Sequence, residues 1–215
     1  MNENRALVIG GDPRHYHEFS ELGPILGSLL SEAGFNVTLS EDLNYFLPER
    51  IKPFDLILCV SLKPSLSGRQ ARGLEEAVVG SPWGRTGRAK GFIGMHGAAA
   101  SFVNSPDYLK MIGGRFLTHP PMGGPYKIHA GIPGHPVTKD IADFEIKDEL
   151  YMMETYPPFD ILLETEYNGF KIPVAWAKPY GLGRVCYISL GHGKEQLQNP
   201  SVEKFILNAA SWSLS

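Results

Sequence analysis

Apolar residues along this chain come in two kinds of run. Short unbroken runs, Arg5–Gly10, Phe54–Val60 and Lys90–Met95, have strand length and an aliphatic or aromatic make-up, as expected of strands covered on both faces. Other stretches repeat with a helical period. Leu22, Ile25, Leu26, Leu29 and Leu30 share one stripe, which predicts a helix over Ser20–Ala33 with Gly34 as its stop. Arg69–Val79 predicts a second helix, Phe35–Leu39 alternates as a strand, and Gly97–Phe102 reads as a helix start. Farther on, Tyr126–Ala130, Phe144–Ile146 and Ile161–Glu166 are short strand candidates. Pro173–Ala177 and Arg184–Leu190 flank the turn Pro179-Tyr180-Gly181-Leu182-Gly183 as a hairpin, and Val202–Trp212 predicts a closing helix. Strands alternating with helices in the first half predict a parallel sheet wound on both faces. No repeat, low-complexity tract or linker interrupts the pattern, so residues 1–215 are expected to form one domain.

Composition narrows the class. With 215 residues, 43% apolar and 20% charged, the chain falls outside disordered and fibrous classes. Net charge is −3, and the densest basic cluster, Arg85, Arg88 and Lys90, lies in a Gly-rich loop, so no nucleic-acid partner is expected. The first apolar run, Ala6–Ile9, is too brief for a signal-peptide core or a bilayer span, so a cytoplasmic protein without a membrane partner is expected. Cys59 and Cys186 each sit inside an apolar run and read as small hydrophobes, not as a disulfide.

The segment Gly91-Phe92-Ile93-Gly94-Met95-His96-Gly97-Ala98-Ala99-Ala100 carries the most chemistry. A buried strand ends in one polar residue bracketed by glycine and alanine, the layout of a nucleophile elbow, where small neighbours permit a sharp turn. Here the tip is His96. Imidazole at the carboxyl end of a sheet can act as a general acid or base, or as a metal ligand, but does not do the acyl-transfer work of cysteine.

These residues resemble the ThuA-like (trehalose-utilisation) family of the class I glutamine-amidotransferase-like superfamily. The likeness begins with Gly10-Gly11, His15 and His17, then Gly94-Met95-His96-Gly97-Ala98-Ala99, and Ile112-Gly113-Gly114-Arg115-Phe116 with His119-Pro120. It continues through His135-Pro136-Val137-Thr138, Asp148-Glu149-Leu150-Tyr151, Pro173-Val174-Ala175-Trp176 and Tyr180-Gly181-Leu182-Gly183-Arg184-Val185. Leu190-Gly191-His192, Asn199-Pro200 and Trp212 complete it. The resemblance implies a flavodoxin-like three-layer α/β sandwich with a mainly parallel sheet. It also implies that His192 is the counterpart of the histidine that pairs with the elbow cysteine in amidotransferases. That cysteine is missing, so glutaminase chemistry is not expected. Carbohydrate catabolism is implied instead, on a small sugar such as trehalose or another disaccharide, or its keto form, by a hydrolase- or isomerase-type reaction. The alternative is a sugar-binding or regulatory module without catalysis.

His96, His192 and Glu149 are the candidate catalytic residues. Both histidines follow predicted parallel strands and should converge, and a glutamate beside them could orient one or serve as a base. Two imidazoles and a carboxylate also suffice for a divalent metal such as zinc, although no short His-x-x-x-His spacing supports one, so proton transfer and metal binding stay open. His15, His17, His119, Tyr16, Tyr151 and Arg115 are candidate substrate-binding residues, with salt bridging the alternative for Arg115. Trp83, Phe102, Tyr108 and Trp176 are further aromatics expected near the rim, Trp176 more as a packing residue. Asp148 reads as a loop hydrogen-bonding residue, His129 as an ordinary strand position and His135 as a turn residue. A small-molecule sugar ligand is the expected partner, and homo-oligomerisation is left open.

Overall fold

The computed structural model describes residues 4–63, 65–80, 88–121 and 124–215. Arg85 and Trp83 lie outside the described residues. The first half alternates as its pattern predicts, with one short helix, α2, that the pattern does not: β1 (Arg5–Ile9), α1 (Phe19–Glu32), β2 (Asn36–Ser40), α2 (Pro48–Ile51), β3 (Leu56–Cys59), α3 (Gly68–Val79) and β4 (Gly91–Met95). Then come α4 (Pro106–Ile112), β5 (Gly114–Thr118), β6 (Tyr126–Ala130), β7 (Phe144–Ile146) and β8 (Met152–Thr155). β9 (Asp160–Tyr167), β10 (Phe170–Tyr180), β11 (Gly183–Ile188), α5 (Lys194–Leu197) and α6 (Pro200–Ser213) close the chain.

Nine strands form one sheet in the order β2-β1-β3-β4-β11-β10-β9-β6-β7, and β5 pairs with β8 apart from it. Side-chain alternation divides the core between its two faces. Ala6, Val8, Ile93, Met95, Cys186 and Ile188 pack with Leu22, Leu26 and Leu30 of α1 and Phe205 and Ile206 of α6. Leu7, Ile9, Phe92, Val185 and Tyr187 pack on the other side with Leu74 and Val78 of α3 and Leu109 and Ile112 of α4. The uninterrupted apolar runs are therefore strands buried twice over. α1 ends at the expected glycine: Gly34 sits at φ +88°, and the Phe35 N–H reaches back to the Leu30 carbonyl.

The expectation of a mainly parallel sheet needs correction. β2, β1, β3, β4 and β11 run parallel, but β10, β9, β6 and β7 each pair antiparallel with their neighbour. The reason is connection length. Parallel neighbours need a crossover of a dozen or more residues, whereas tight turns fold a strand straight back. Asn168-Gly169 joins β9 to β10 with both residues at positive φ, +51° and +79°, the backbone of a two-residue hairpin. Gly181, at φ +61°, lies in the β10–β11 turn. The helix start expected at Gly97–Phe102 is also shorter than its pattern suggests. It is one 3-10 turn, His96–Ala100, because Phe102 takes φ +53° and the Ser101 hydroxyl turns away to the Ser61 carbonyl at 2.7 Å.

Candidate active site

β4 and β11 are parallel neighbours whose last paired residues, Met95 and Ile188, are level with one another. The segments after these two strands therefore emerge at one edge. His96 comes directly after β4 at φ +42°, a conformation that costs a non-glycine residue about 1–3 kcal/mol. Its small neighbours are needed there. A Cβ on Gly94 would come 2.7 Å from Ile112 Cδ1, and one on Gly97 would come 3.1 Å from the Ser61 carbonyl oxygen. Two hydrogen bonds hold the elbow: His96 Nδ1 donates to the Ser189 carbonyl at 2.7 Å, and the Tyr187 hydroxyl donates to the His96 carbonyl at 3.0 Å.

Because Nδ1 donates to a carbonyl, His96 aims Nε2 into the site. Three groups meet it: the Tyr151 hydroxyl at 3.0 Å, His17 Nε2 at 3.1 Å and Glu149 Oε2 at 3.3 Å. His17 arrives on the loop after β1. Buried Asp12 shapes that loop by accepting backbone N–H groups from Arg14, Tyr16 and His17 at 2.9, 2.9 and 3.2 Å. His192, from the loop after β11, places Nδ1 3.2 Å from His17 Nε2 and 3.2 Å from Glu149 Oε2. Glu149 comes from the segment between β7 and β8. Buried Asp148 fixes both backbones by accepting from the N–H groups of Glu149 at 2.8 Å, Gly191 at 2.8 Å and His192 at 3.4 Å.

The site's electrostatics split its members. Burial and the neighbouring imidazoles push the pKa of His17 down to about 4. The hydrogen bond to Glu149 outweighs burial at His192 and raises it. Burial works to raise Glu149, but its hydrogen bonds with His192 and His96 prevail and hold it well below the usual carboxylate range. Asp148 is pushed up by burial, and so is Tyr151, with Glu149 adding to the effect. In Asp12 the three backbone N–H bonds overcome burial and lower it.

His17, Glu149 and His192 floor a cleft of about 440 Å³ whose walls include Arg14, Tyr16, Phe116, His119 and Tyr151, and His96 is buried just beneath them. A larger hollow, lined by Asn4, Asp55 and Arg184 among others, contains none of these groups. Of the residues singled out in the sequence, His96, His192, Glu149, His17 and Tyr151 come together, with His119 3.7 Å from Glu149 Oε1 and exposed Tyr16 on the rim. His15 does not join them. It points to solvent and bonds Glu18 at 2.8 Å, because alternate loop residues face opposite ways here. Arg115 does not either: it stands on exposed β5 and pairs with Glu154 directly across on β8. Phe102, Tyr108 and Trp176 are buried in the core and not on the rim.

A family model described as trehalose utilisation, ThuA, matches residues 5–213. The chain belongs to the ThuA family. Solved ThuA-like proteins share its fold. One from Parabacteroides merdae ATCC 43184 is 19% identical with a TM-score of 0.80, covering 100% of this chain and 91% of its own. Another, from Bacteroides uniformis ATCC 8492, is 20% identical with a TM-score of 0.78, covering 99% and 91%. A cytoplasmic protein from Salmonella typhimurium LT2 is 15% identical, TM-score 0.69, covering 97% and 99%. A search of curated protein sequences finds no match.

In this ThuA protein two site residues carry little signal in the sequence. Asp12 looks like part of a Gly-Asp-Pro turn, and its role as a backbone acceptor leaves no side-chain pattern. Phe116 follows Arg115 on β5, and its ring lies 4.3 Å from that of Tyr151. An exposed strand with an inward aromatic is the one signal that could have found it. Both cysteines are buried in strands, neither at the elbow's tip, and burial raises Cys59 to about 11, so neither supplies a thiolate.

Proposed function

We propose that the protein is an enzyme of carbohydrate catabolism that acts on a small sugar, a disaccharide such as trehalose or its keto form. The working groups are His96, His192 and Glu149, assisted by His17 and Tyr151. The observation that carries this reading is the meeting of three imidazoles and a carboxylate at one cleft, with His17, His192 and Glu149 on its floor and His96 buried against them. Ionisable groups crowded together at the cost of desolvation point to chemistry more than to passive binding. The cleft volume suits a sugar-sized ligand. Tyr16 and Phe116 offer flat apolar faces to a ring, while Arg14 and His119 offer donors to its hydroxyls. The cluster would move the proton, or polarise the oxygen, in hydrolysis or isomerisation. Kinship with the flavodoxin-like amidotransferase sandwich is part of the same proposal, with His96 standing where those enzymes carry cysteine. A cytoplasmic setting is proposed too. Among the described residues no helix is long and apolar enough to cross a membrane.

The test is a product assay on paired panels of unoxidised and keto disaccharides, with His96→Asn and His192→Asn beside the native protein. Turnover of at least one sugar is expected, falling by about 10²–10⁴ in either variant. Saturable sugar binding with no product from any member of the panel would make the protein a binding module. Turnover undiminished in both variants would remove these residues from the reaction.

A further inference from the structure

Four side-chain atoms at the floor of the cleft form a closed ring. His17 Nε2 lies 3.1 Å from His96 Nε2, which lies 3.3 Å from Glu149 Oε2. Glu149 Oε2 lies 3.2 Å from His192 Nδ1, which returns to His17 Nε2 at 3.2 Å. We propose that this ring is a binding site for one divalent transition-metal ion, held by His17, His96, His192 and Glu149. Such a site stands whether or not the ligand of the cleft is a sugar.

Proton positions make the case. A neutral imidazole carries one ring proton. The proton of His96 is committed to the Ser189 carbonyl through Nδ1, so Nε2 presents a lone pair. The Nδ1 of His17 faces the carboxylate Oδ2 of Asp12, 3.4 Å away, which favours the proton on that nitrogen and a second lone pair on Nε2. That Nδ1 is a buried side-chain atom with no hydrogen-bond partner among the described residues, and ion binding at Nε2 would strengthen its pull toward Asp12. Glu149 Oε2 is an acceptor only. Three acceptor atoms thus meet at contact distance, with the Tyr151 hydroxyl the one neutral donor beside His96 Nε2 at 3.0 Å. His192 Nδ1, hydrogen-bonded to Glu149, closes the ring and would give up its proton as an ion enters. Protonating the imidazoles would remove the clash only by crowding cations, since the ring centroids lie 4.8 to 5.4 Å apart and the His17 and His96 side chains are 7% and 1% exposed. A single cation relieves every pair at once.

The spacing agrees. Ligands about 2.1 Å from a zinc-sized ion, separated by angles of roughly 90–109°, lie about 3.0–3.4 Å apart. The four adjacent separations, 3.1, 3.3, 3.2 and 3.2 Å, fall in that range, and the pairs across the ring would draw in slightly around the ion. Three nitrogens and one oxygen select Zn²⁺ or a neighbouring first-row ion over Mg²⁺ and Ca²⁺, which prefer all-oxygen sites. The surroundings are those of a built site: Ser189 orients His96, Asp12 stands behind His17, and Asp148 secures the backbones of Glu149 and His192. The cleft above leaves one side open to water or to a substrate oxygen.

The experiment is titration calorimetry of the full chain, stripped with chelator, against ZnCl₂ and separately against MgCl₂. One Zn²⁺ per chain and no Mg²⁺ uptake are expected. Glu149→Gln and His96→Asn should each weaken Zn²⁺ binding at least tenfold, Asp12→Asn by about tenfold, and His129→Asn not at all. Cooperative thermal unfolding of each stripped variant shows that its fold survives. If His96→Asn does not fold, the near-isosteric Glu149→Gln decides. No stoichiometric Zn²⁺ uptake by the native chain, or uptake unaltered by Glu149→Gln, would overturn the site. A native protein that takes up no Zn²⁺ yet turns over a sugar would overturn the site and leave the sugar reading intact. Zn²⁺ uptake by a protein inert to every sugar would keep the site and break that other reading.

Discussion

The parallel and antiparallel halves of the one sheet treat histidine differently. In the parallel half, β1, β4 and β11 point the same way, and the segments that come after them bring His17, His96 and His192 into mutual contact. In the antiparallel half, His129 on β6 bonds Asp143 at 2.7 Å. His135 caps a short turn by accepting from the Val137 N–H at 3.2 Å and rests on Trp212. Each of these has a private partner. Residue type is the same in both places; strand direction is what differs. Strands that share a direction deliver their loops to one edge, while hairpins send successive turns to opposite edges.

The sharpest way to break this contrast is to disable one histidine of each kind. With a sugar substrate in hand, His192→Ala should lower turnover by about 10²–10⁴ and His129→Ala by less than about twofold. Comparable losses would mean that convergence is irrelevant. Next in size is a substitution at the seam. Trp176 of β10 is fully buried, lies 4.6 Å from the Tyr187 ring of β11 and donates to the Ile112 carbonyl at 2.8 Å. Trp176→Ala should cost about 3–5 kcal/mol in urea unfolding. A loss under about 1 kcal/mol would show that the halves are not packed through it.

Acid should act on the parallel half first. In the metal-free protein His17 takes up its proton near pH 4, against about 6.5 in the unfolded chain. Its depressed pKa therefore contributes stability in full above about pH 6.5, and that contribution drains away as pH falls toward 4. At pH 5 the loss is at most about 2 kcal/mol. His192, whose pKa is raised, acts in the opposite sense and contributes below its unfolded value. Denaturant unfolding at pH 7 and pH 5 should show a smaller fall for His17→Asn than for the native chain, and equal falls would remove His17 as the cause. The smallest effect belongs to His15→Ala, an exposed residue paired only with Glu18. Stability should change by less than about 0.5 kcal/mol.

Legibility in the sequence obeys the same division. Apolar runs buried on two faces mark β1, β3 and β4, and five stripe positions mark α1, because burial there depends on neighbours in sequence. α2, α4, α5, β5 and β8 leave no such mark: each is short and owes its form to packing against distant segments. The β10–β11 hairpin is readable from its glycine turn, but the pairing of β6 with β7 and with β9 is hidden, since it joins segments far apart in sequence. At the site, His96 stands out through its glycines, yet the pattern does not separate His15 from His17. Their difference is set by Asp12, which gathers three backbone N–H groups and turns one imidazole inward. Arg115 draws notice from its glycine neighbours, but a cross-strand glutamate 39 positions away claims it.

Asp148 has a consequence for how this pocket can change over time. Its one carboxylate grips the chain on both sides of the opening, at Glu149 and at Gly191-His192. Those two stretches are yoked: neither can shift its side chain without dragging the other. Divergence among relatives should therefore accumulate in walls that Asp148 does not hold, such as Phe116, while the floor drifts as a single block or stays put.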